Sequence, residues 1–169
     1  RRPGWMVMAL VAVLGYVLDQ LTKMLAVAYL DPHSPPSYLG GFLKLKLIRN
    51  PGAAFSMGTQ VTELLSILSI AALLFCLVWL TPRIRRPWQG ALLGMGVAGI
   101  AGNLTDRLFR GPGPLRGHVI DFFALPNFAI FNVADIFLTT AAVIVIGWTL
   151  VVERREKAAA ASASDEREA

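Results

Sequence analysis

Residues Ala129–Val152 read AIFNVADIFLTTAAVIVIGWTLVV, a long apolar run whose only ionisable side chain is Asp135. About 20 apolar residues suffice to cross the ~30 Å of hydrocarbon in a bilayer. Backbone N–H and C=O groups in lipid find no water, so a run of this length is read as a membrane helix whose backbone bonds internally. A carboxyl inside such a helix is expensive and asks for a partner or a task.

Working back along the chain, three more runs have the same character: Trp5–Leu30, Thr62–Leu80 and Gln89–Leu108. They fit the composition of the whole. Of 169 residues, 55% are hydrophobic and 16% are charged, with a mean hydropathy of +0.57. A soluble domain charges about a quarter of its residues. The expected fold is an all-α membrane protein of four transmembrane helices, at about 5–30, 62–80, 89–108 and 129–152. Residues 1–156 are read as one polytopic membrane domain, and the Ala- and Ser-rich stretch 157–169 as a disordered cytoplasmic tail. The first run also resembles a cleavable leader, since Arg1 and Arg2 precede it and Ala26-Val27-Ala28 mimics a cleavage site. The apolar pattern resumes after Asp19 with Leu21, Met24, Leu25 and Val27, and that full spanning length favours a retained helix.

The net charge of +5 comes from residues clustered at the ends of apolar runs, not from a continuous basic stripe, so a membrane surface explains it better than nucleic acid. If four helices alternate, Arg1, Arg2, Arg83, Arg85, Arg86, Arg154, Arg155 and Lys157 share one side, against Lys44, Lys46, Arg49, Arg110 and Arg116 on the other. That bias places both termini in the cytoplasm. Cys76, the lone cysteine, excludes an internal disulfide and reads as a small buried residue. Between the first two runs, Phe42-Leu43-Lys44-Leu45-Lys46-Leu47 alternates with period two. It predicts a small extracytoplasmic β element in the first outer loop, either touching lipid headgroups or simply connecting two helices.

The polar residues inside the runs fall at one depth. Counted from the arginine-rich side at 1.5 Å per residue, Asp19 lies about 21 Å up, Asn103 about 22 Å, Asp135 about 25 Å and Asp106 about 27 Å. Three helices thus contribute to one polar layer. Asp19 and Lys23, four apart, can neutralise each other. Arg107 is expected to pair with a carboxylate and orient it, unless it merely snorkels. Asn50, in Arg49-Asn50-Pro51-Gly52, reads locally as a turn.

Asp121, in His118-Val119-Ile120-Asp121-Phe122-Phe123, and Asp135, in Phe131-Asn132-Val133-Ala134-Asp135, flank the last loop. Two carboxylates held together cannot both ionise comfortably. Such a dyad can take a proton from water with one member and support a carbonyl oxygen and a leaving amine with the other. The bland reading makes Asp121 a helix cap and Asp135 the partner of an arginine, and spacing alone leaves both open. His33 and His118 form no zinc-binding pair, so no metal and no cofactor is expected. A Ser56–Lys23 dyad is conceivable but leaves the aspartates unexplained.

Five motifs, in order, resemble those of signal peptidase II, the bacterial prolipoprotein signal peptidase family. They are Asp19-Gln20-Leu21-Thr22-Lys23, Asn50-Pro51-Gly52-Ala53-Ala54-Phe55-Ser56, Gly102-Asn103-Leu104-Thr105-Asp106-Arg107, Val119-Ile120-Asp121-Phe122 and Phe131-Asn132-Val133-Ala134-Asp135. The resemblance implies a multi-pass inner-membrane aspartyl endopeptidase with its site near the outer face. It would cleave prolipoproteins before a diacylglyceryl-modified cysteine and be a target of the antibiotic globomycin. The resemblance makes Asp121 and Asp135 the catalytic dyad, with Asp19, Lys23, Asn50, Gly52, Asn103, Asp106, Arg107 and Asn132 lining or supporting the site. Thr105 departs from the aliphatic residue more usual at its position. Two other classes compete: a proton- or ion-coupled transporter relaying ions through the carboxylates, and a structural partner whose polar layer binds another helix.

Overall fold

The computed structural model describes residues 2–52 and 58–168. Ser56, and with it the Ser56–Lys23 alternative, lies outside the described residues. Four long helices carry the chain: α1 (Arg2–Tyr29), α2 (Gly58–Leu74), α3 (Pro87–Phe109) and α4 (Val133–Glu168). A π-helical turn, Phe75–Leu80, and a 3-10 turn, Thr81–Arg83, prolong α2. The Thr81 hydroxyl donates to the Cys76 carbonyl at 2.9 Å, an oxygen that also accepts the Thr81 N–H, so both donors of Thr81 close that turn.

Among the described residues, three segments are long and apolar enough to cross a membrane: Gly4–Tyr29, Val61–Arg83 and Val133–Ala158. The fourth expected span is a helix, α3, but its composition does not reach the same apolar standard. Gly90, Gly94, Gly96, Gly99 and Gly102 dilute it, and packing explains all of them except Gly96, where a Cβ would meet nothing within 4 Å. A Cβ at Gly90 would sit 2.0 Å from the Gly4 carbonyl oxygen, and one at Gly94 2.6 Å from that of Met8. Only hydrogen fits, so the α1 and α3 backbones run in direct contact, as small-residue helix interfaces in membranes do. Helix α3 has buried residues from Gly90 to Asp106. It spends little surface on lipid and does not need the hydropathy of its neighbours.

Beside the helices lies a three-stranded antiparallel sheet in the order β1 (Ser37–Tyr38), β2 (Leu43–Asn50), β3 (Val119–Ala124). In β2, exposed Lys44, Lys46 and Arg49 alternate with half-buried Leu43, Leu45 and Leu47, as the period-two pattern predicts. Strand β3 has no such signature in the sequence. Val119, Ile120, Asp121 and Phe122 are all buried, so no alternation marks them. The register sets Ile48 opposite Asp121 and Asn50 opposite Val119. Ile120 and Phe122 pack against Ala26 of α1 and Val133 of α4, seating the sheet on the bundle. At the other end α4 continues to Glu168, through the stretch expected to be disordered. The four alanines at 158–161, with Glu, Arg and Lys just before them, have the high helix propensity that prolongs it.

Candidate active site

The polar layer assembles around Lys23. Its ammonium is fully buried and lies 2.9 Å from Asp19 Oδ2 and 3.0 Å from Asp106 Oδ2. It also donates to Asn103 Oδ1 at 2.9 Å. Each carboxylate has further donors. Asp19 Oδ1 accepts the Ala134 N–H at 2.9 Å, tying α1 to the first turn of α4. Asp106 Oδ2 accepts the Ile120 N–H at 3.1 Å, tying α3 to β3, and Oδ1 takes Arg110 Nε. Charges this deep are tolerable only when paired and fully bonded, and these are. Gly102 makes the arrangement possible, since a Cβ there would stand 2.4 Å from Asp19 Oδ2.

Asn103 and Asn132 carry this framework to the two candidate carboxylates. Asn103 Nδ2 donates to Asp135 Oδ1 at 2.8 Å. Asn132 Nδ2 reaches Asp121 Oδ1 at 2.6 Å and Asn103 Oδ1 at 3.0 Å. Asp135 and Asn132 also start α4: Asp135 N–H donates to Asn132 Oδ1 at 3.0 Å, and Asn132 N–H to Asp135 Oδ2 at 3.1 Å. This is a reciprocal capping box, which holds the Asp135 carboxylate in place by the same bonds that begin the helix. Of the bland reading, Asp121 as a helix cap does not hold, whereas Asp135 does face the charge of an arginine, Arg107. Asp121 lies in β3, Asn132 is the N-cap of α4, and Asp135 is the third helical residue reaching back to it.

Asn50 ends β2 and donates from Nδ2 to Asp121 Oδ2 at 2.8 Å. The turn that the sequence predicts fixes this amide. Gly52, at φ +95°, returns its N–H to Asn50 Oδ1 at 2.9 Å and so turns Nδ2 toward Asp121. Asp121 is 2% exposed. Burial pushes its carboxyl up to about 6, the Asn50 bond opposes that, and the charge of Asp135 adds to it. Asp135 is half-buried and lines an apolar cleft of about 330 Å³ with Leu125, Phe128, Phe131, Ile136 and Thr139. One carboxyl is thus held behind, in β3, and the other faces a cleft, while each feels the other's charge.

Arg107 faces the carboxylates by charge and not by a bond at Nε. Lys23 and Arg110 hold Asp106, whereas the Arg107 Nε is buried without a hydrogen-bond partner. Its guanidinium interacts electrostatically with Asp135, Asp121 and Asp106. Sequence reading also misses the backbone donors at Ile120 and Ala134, the side chains of Arg110 and Gln20, and the role of Gly102. Arg110 stands four residues after Asp106, a spacing that carries the signal. Thr105, the departure from the usual aliphatic residue, shares a 3.1 Å hydrogen bond with the Tyr16 hydroxyl, another α1–α3 link. Among the described residues no three His, Cys, Asp or Glu side chains are grouped to hold a metal ion.

Residues 11–151 match the family described as signal peptidase (SPase) II. The chain is 41% identical over 140 residues to the lipoprotein signal peptidase of Mycolicibacterium smegmatis, covering 83% of this chain and 59% of that one. It is 41% identical over 144 residues to that of Rhodococcus jostii, covering 84% and 72%. Among solved structures it resembles a bacterial membrane enzyme determined by the in meso method at 1.9 Å resolution. That likeness has a TM-score of 0.74 and 26% identity, over 85% of this chain and 92% of the other.

Proposed function

The chain belongs to the signal peptidase II family, and on that premise we propose that it is an intramembrane aspartic endopeptidase removing the signal peptide of prolipoproteins. The observation that carries the proposal is the placement of Asp121 and Asp135. Each of the two carboxyls is bonded by an asparagine, Asp135 faces an apolar cleft, and Asp121, buried in β3, feels the charge of Asp135. Peptide hydrolysis without metal or covalent intermediate needs one ionised and one protonated carboxyl around a water. The ionised member takes a proton from the water, whose oxygen attacks the scissile carbonyl carbon. The protonated member donates to the carbonyl oxygen. As the tetrahedral intermediate collapses, the C–N bond breaks and the amine leaves with a proton from the dyad.

The substrate follows from the surroundings and the family. A cleft lined by Leu125, Phe128 and Phe131 suits a lipid-modified peptide presented from the bilayer better than a water-borne one. Cleavage is proposed just before a diacylglyceryl-modified cysteine, in a cytoplasmic membrane, with both termini cytoplasmic and the site toward the outer face. Globomycin would compete for the same cleft. In this scheme Asp19, Lys23, Asn103, Asp106 and Asn132 are positioning residues, and Asn50 and Gly52 orient Asp121. Arg107, lacking a bond of its own at Nε, supplies positive charge to the dyad. The transporter reading gains no support from the family match.

The test is cleavage of a diacylglyceryl-modified prolipoprotein in detergent by the wild type, Asp121→Asn and Asp135→Asn. Both variants are expected to stay folded, to bind substrate and to cleave none of it. Turnover by either one would remove the dyad from the chemistry, and proton flux into liposomes by the wild type without cleavage would favour transport.

A further inference from the structure

A second cleft, of about 320 Å³, opens at the opposite end of the bundle, where α2 ends and α3 begins. Trp88, on its wall, precedes Asn103 on α3 by about 22 Å of helix. Leu80, Leu92, Val145 and Trp148 complete its apolar walls, and Arg83 stands at its edge. Trp88 and Trp148 meet on one of these walls with ring centroids 5.1 Å apart. The Arg83 guanidinium lies 3.7 Å from the centroid of the Trp79 ring, and its Nη1 donates to the Trp79 carbonyl. These contacts use one nitrogen and one face, and they hold the exposed cation at the rim of an apolar slot.

The charge around the slot has one sign in excess. Arg83, Arg85 and Arg86 follow one another in the α2–α3 connection with no acid among them, and on α4 Arg154, Arg155 and Lys157 outnumber Glu153 and Glu156 within about two turns of Thr149, another wall residue. Among the described residues, none of these five arginines forms an ion pair with a carboxylate. An apolar slot lined by tryptophans and edged by unneutralised arginines matches a molecule with a chain at one end and an anion at the other. We propose that this cleft is a specific site for an anionic phospholipid, an acyl chain lying along the wall that Trp88 and Trp148 form with Val145 and the phosphate held by Arg83. The site is independent of the peptidase chemistry.

Native mass spectrometry tests it, on the full chain taken from vesicles of equal phosphatidylglycerol and phosphatidylethanolamine with matched acyl chains. The wild type is expected to retain one phosphatidylglycerol in preference to phosphatidylethanolamine. Arg83→Gln should lower that preference about fivefold, the worth of one basic residue near an anionic surface. Val145→Phe fills the slot and leaves every charge in place; Val145 is 51% exposed, so the substitution spares the fold. It should abolish the retained lipid. Equal retention of both lipids by the wild type would overturn the site. So would an unchanged preference in Val145→Phe, which would reduce the attraction to general surface charge.

Discussion

Replacing Lys23 by Met tests whether the buried polar layer is one electrostatic unit. The ammonium is fully buried, 2.9 Å from Asp19 and 3.0 Å from Asp106, themselves 0% and 1% exposed. Methionine keeps much of the volume and deletes the cation between these two carboxylates. Removing one partner of a buried pair costs about 3–5 kcal/mol, because the remaining charge has no compensation. For a chain of this size each kcal/mol moves the melting midpoint by about 2–4 °C, so a fall of about 10 °C is expected at neutral pH. The assay is the midpoint in detergent at one fixed scan rate, since unfolding of such a protein is not expected to reverse. Adding Asp19→Asn and Asp106→Asn to Lys23→Met neutralises the stranded carboxylates while keeping an oxygen for the Ala134 and Ile120 N–H groups. The triple variant should recover about half of the loss, because neutral groups cost less to bury than unpaired charges. A fall below about 2 °C in the single variant, or a triple variant no warmer than it, would refute the reasoning.

Three further outcomes follow from the site. Burial raises the Asp121 carboxyl from 3.8 to about 6, so its contribution to stability is fullest below pH 3.8 and is lost as pH rises through 6. That difference corresponds to about 3 kcal/mol, and the wild type's melting lead over Asp121→Asn should therefore be larger at pH 5 than at pH 7.5; a lead independent of pH would contradict the raised value. In a carboxyl-labelled NMR titration, Asn50→Ala should move the Asp121 midpoint up, by removing a bond to the charged form, and Asp135→Asn should move it down, by removing a like charge. Shifts of the same sign would break the assignment. Gly52→Ala places a Cβ 2.6 Å from Leu65 Cδ1 at φ +95°, which costs about 1–3 kcal/mol of strain and turns the Asn50 amide away; cleavage should fall about tenfold and the melting midpoint by about 2–12 °C, and full cleavage would contradict the role given to the turn.

The helices and the polar layer were legible in the sequence because both rest on one-dimensional regularities. Apolar length gave α1, α2 and α4, and a constant rise per residue put Asp19, Asn103, Asp106 and Asp135 at one depth. Strand β3 was hidden because both its faces are covered, which erases alternation. Helix α3 was visible as a helix, but its packing role was not. Gly90 and Gly94 matter through the carbonyls of Gly4 and Met8, more than eighty residues away, and no local pattern records that contact. Arg107 acts on the carboxylates through its charge and not through a bond at Nε, and helix geometry explains why it does not hold the acid beside it. Adjacent residues on a helix point about 100° apart, so the cation that reaches Asp106 is Arg110, one turn on, and not its neighbour.

Charge balance ties these pieces together. The layer holds four carboxyls, Asp19, Asp106, Asp121 and Asp135, and three cations, Lys23, Arg107 and Arg110. Fully ionised, it carries one negative charge in excess, which a low-dielectric interior penalises. One added proton makes it neutral. Asp19 and Asp106 are satisfied by Lys23, Arg110 and backbone N–H groups, so that proton belongs with the proposed dyad. Asp121, pushed up to about 6 by burial, would hold it more firmly as water leaves the neighbouring cleft, because losing solvent raises a carboxyl further. A lipid-modified peptide entering beside Phe128 and Phe131 would expel that water. If the proposed peptidase function holds, substrate entry itself would set the singly protonated state that hydrolysis needs, and the buried lysine would act at a distance by holding Asp19 and, with Arg110, Asp106.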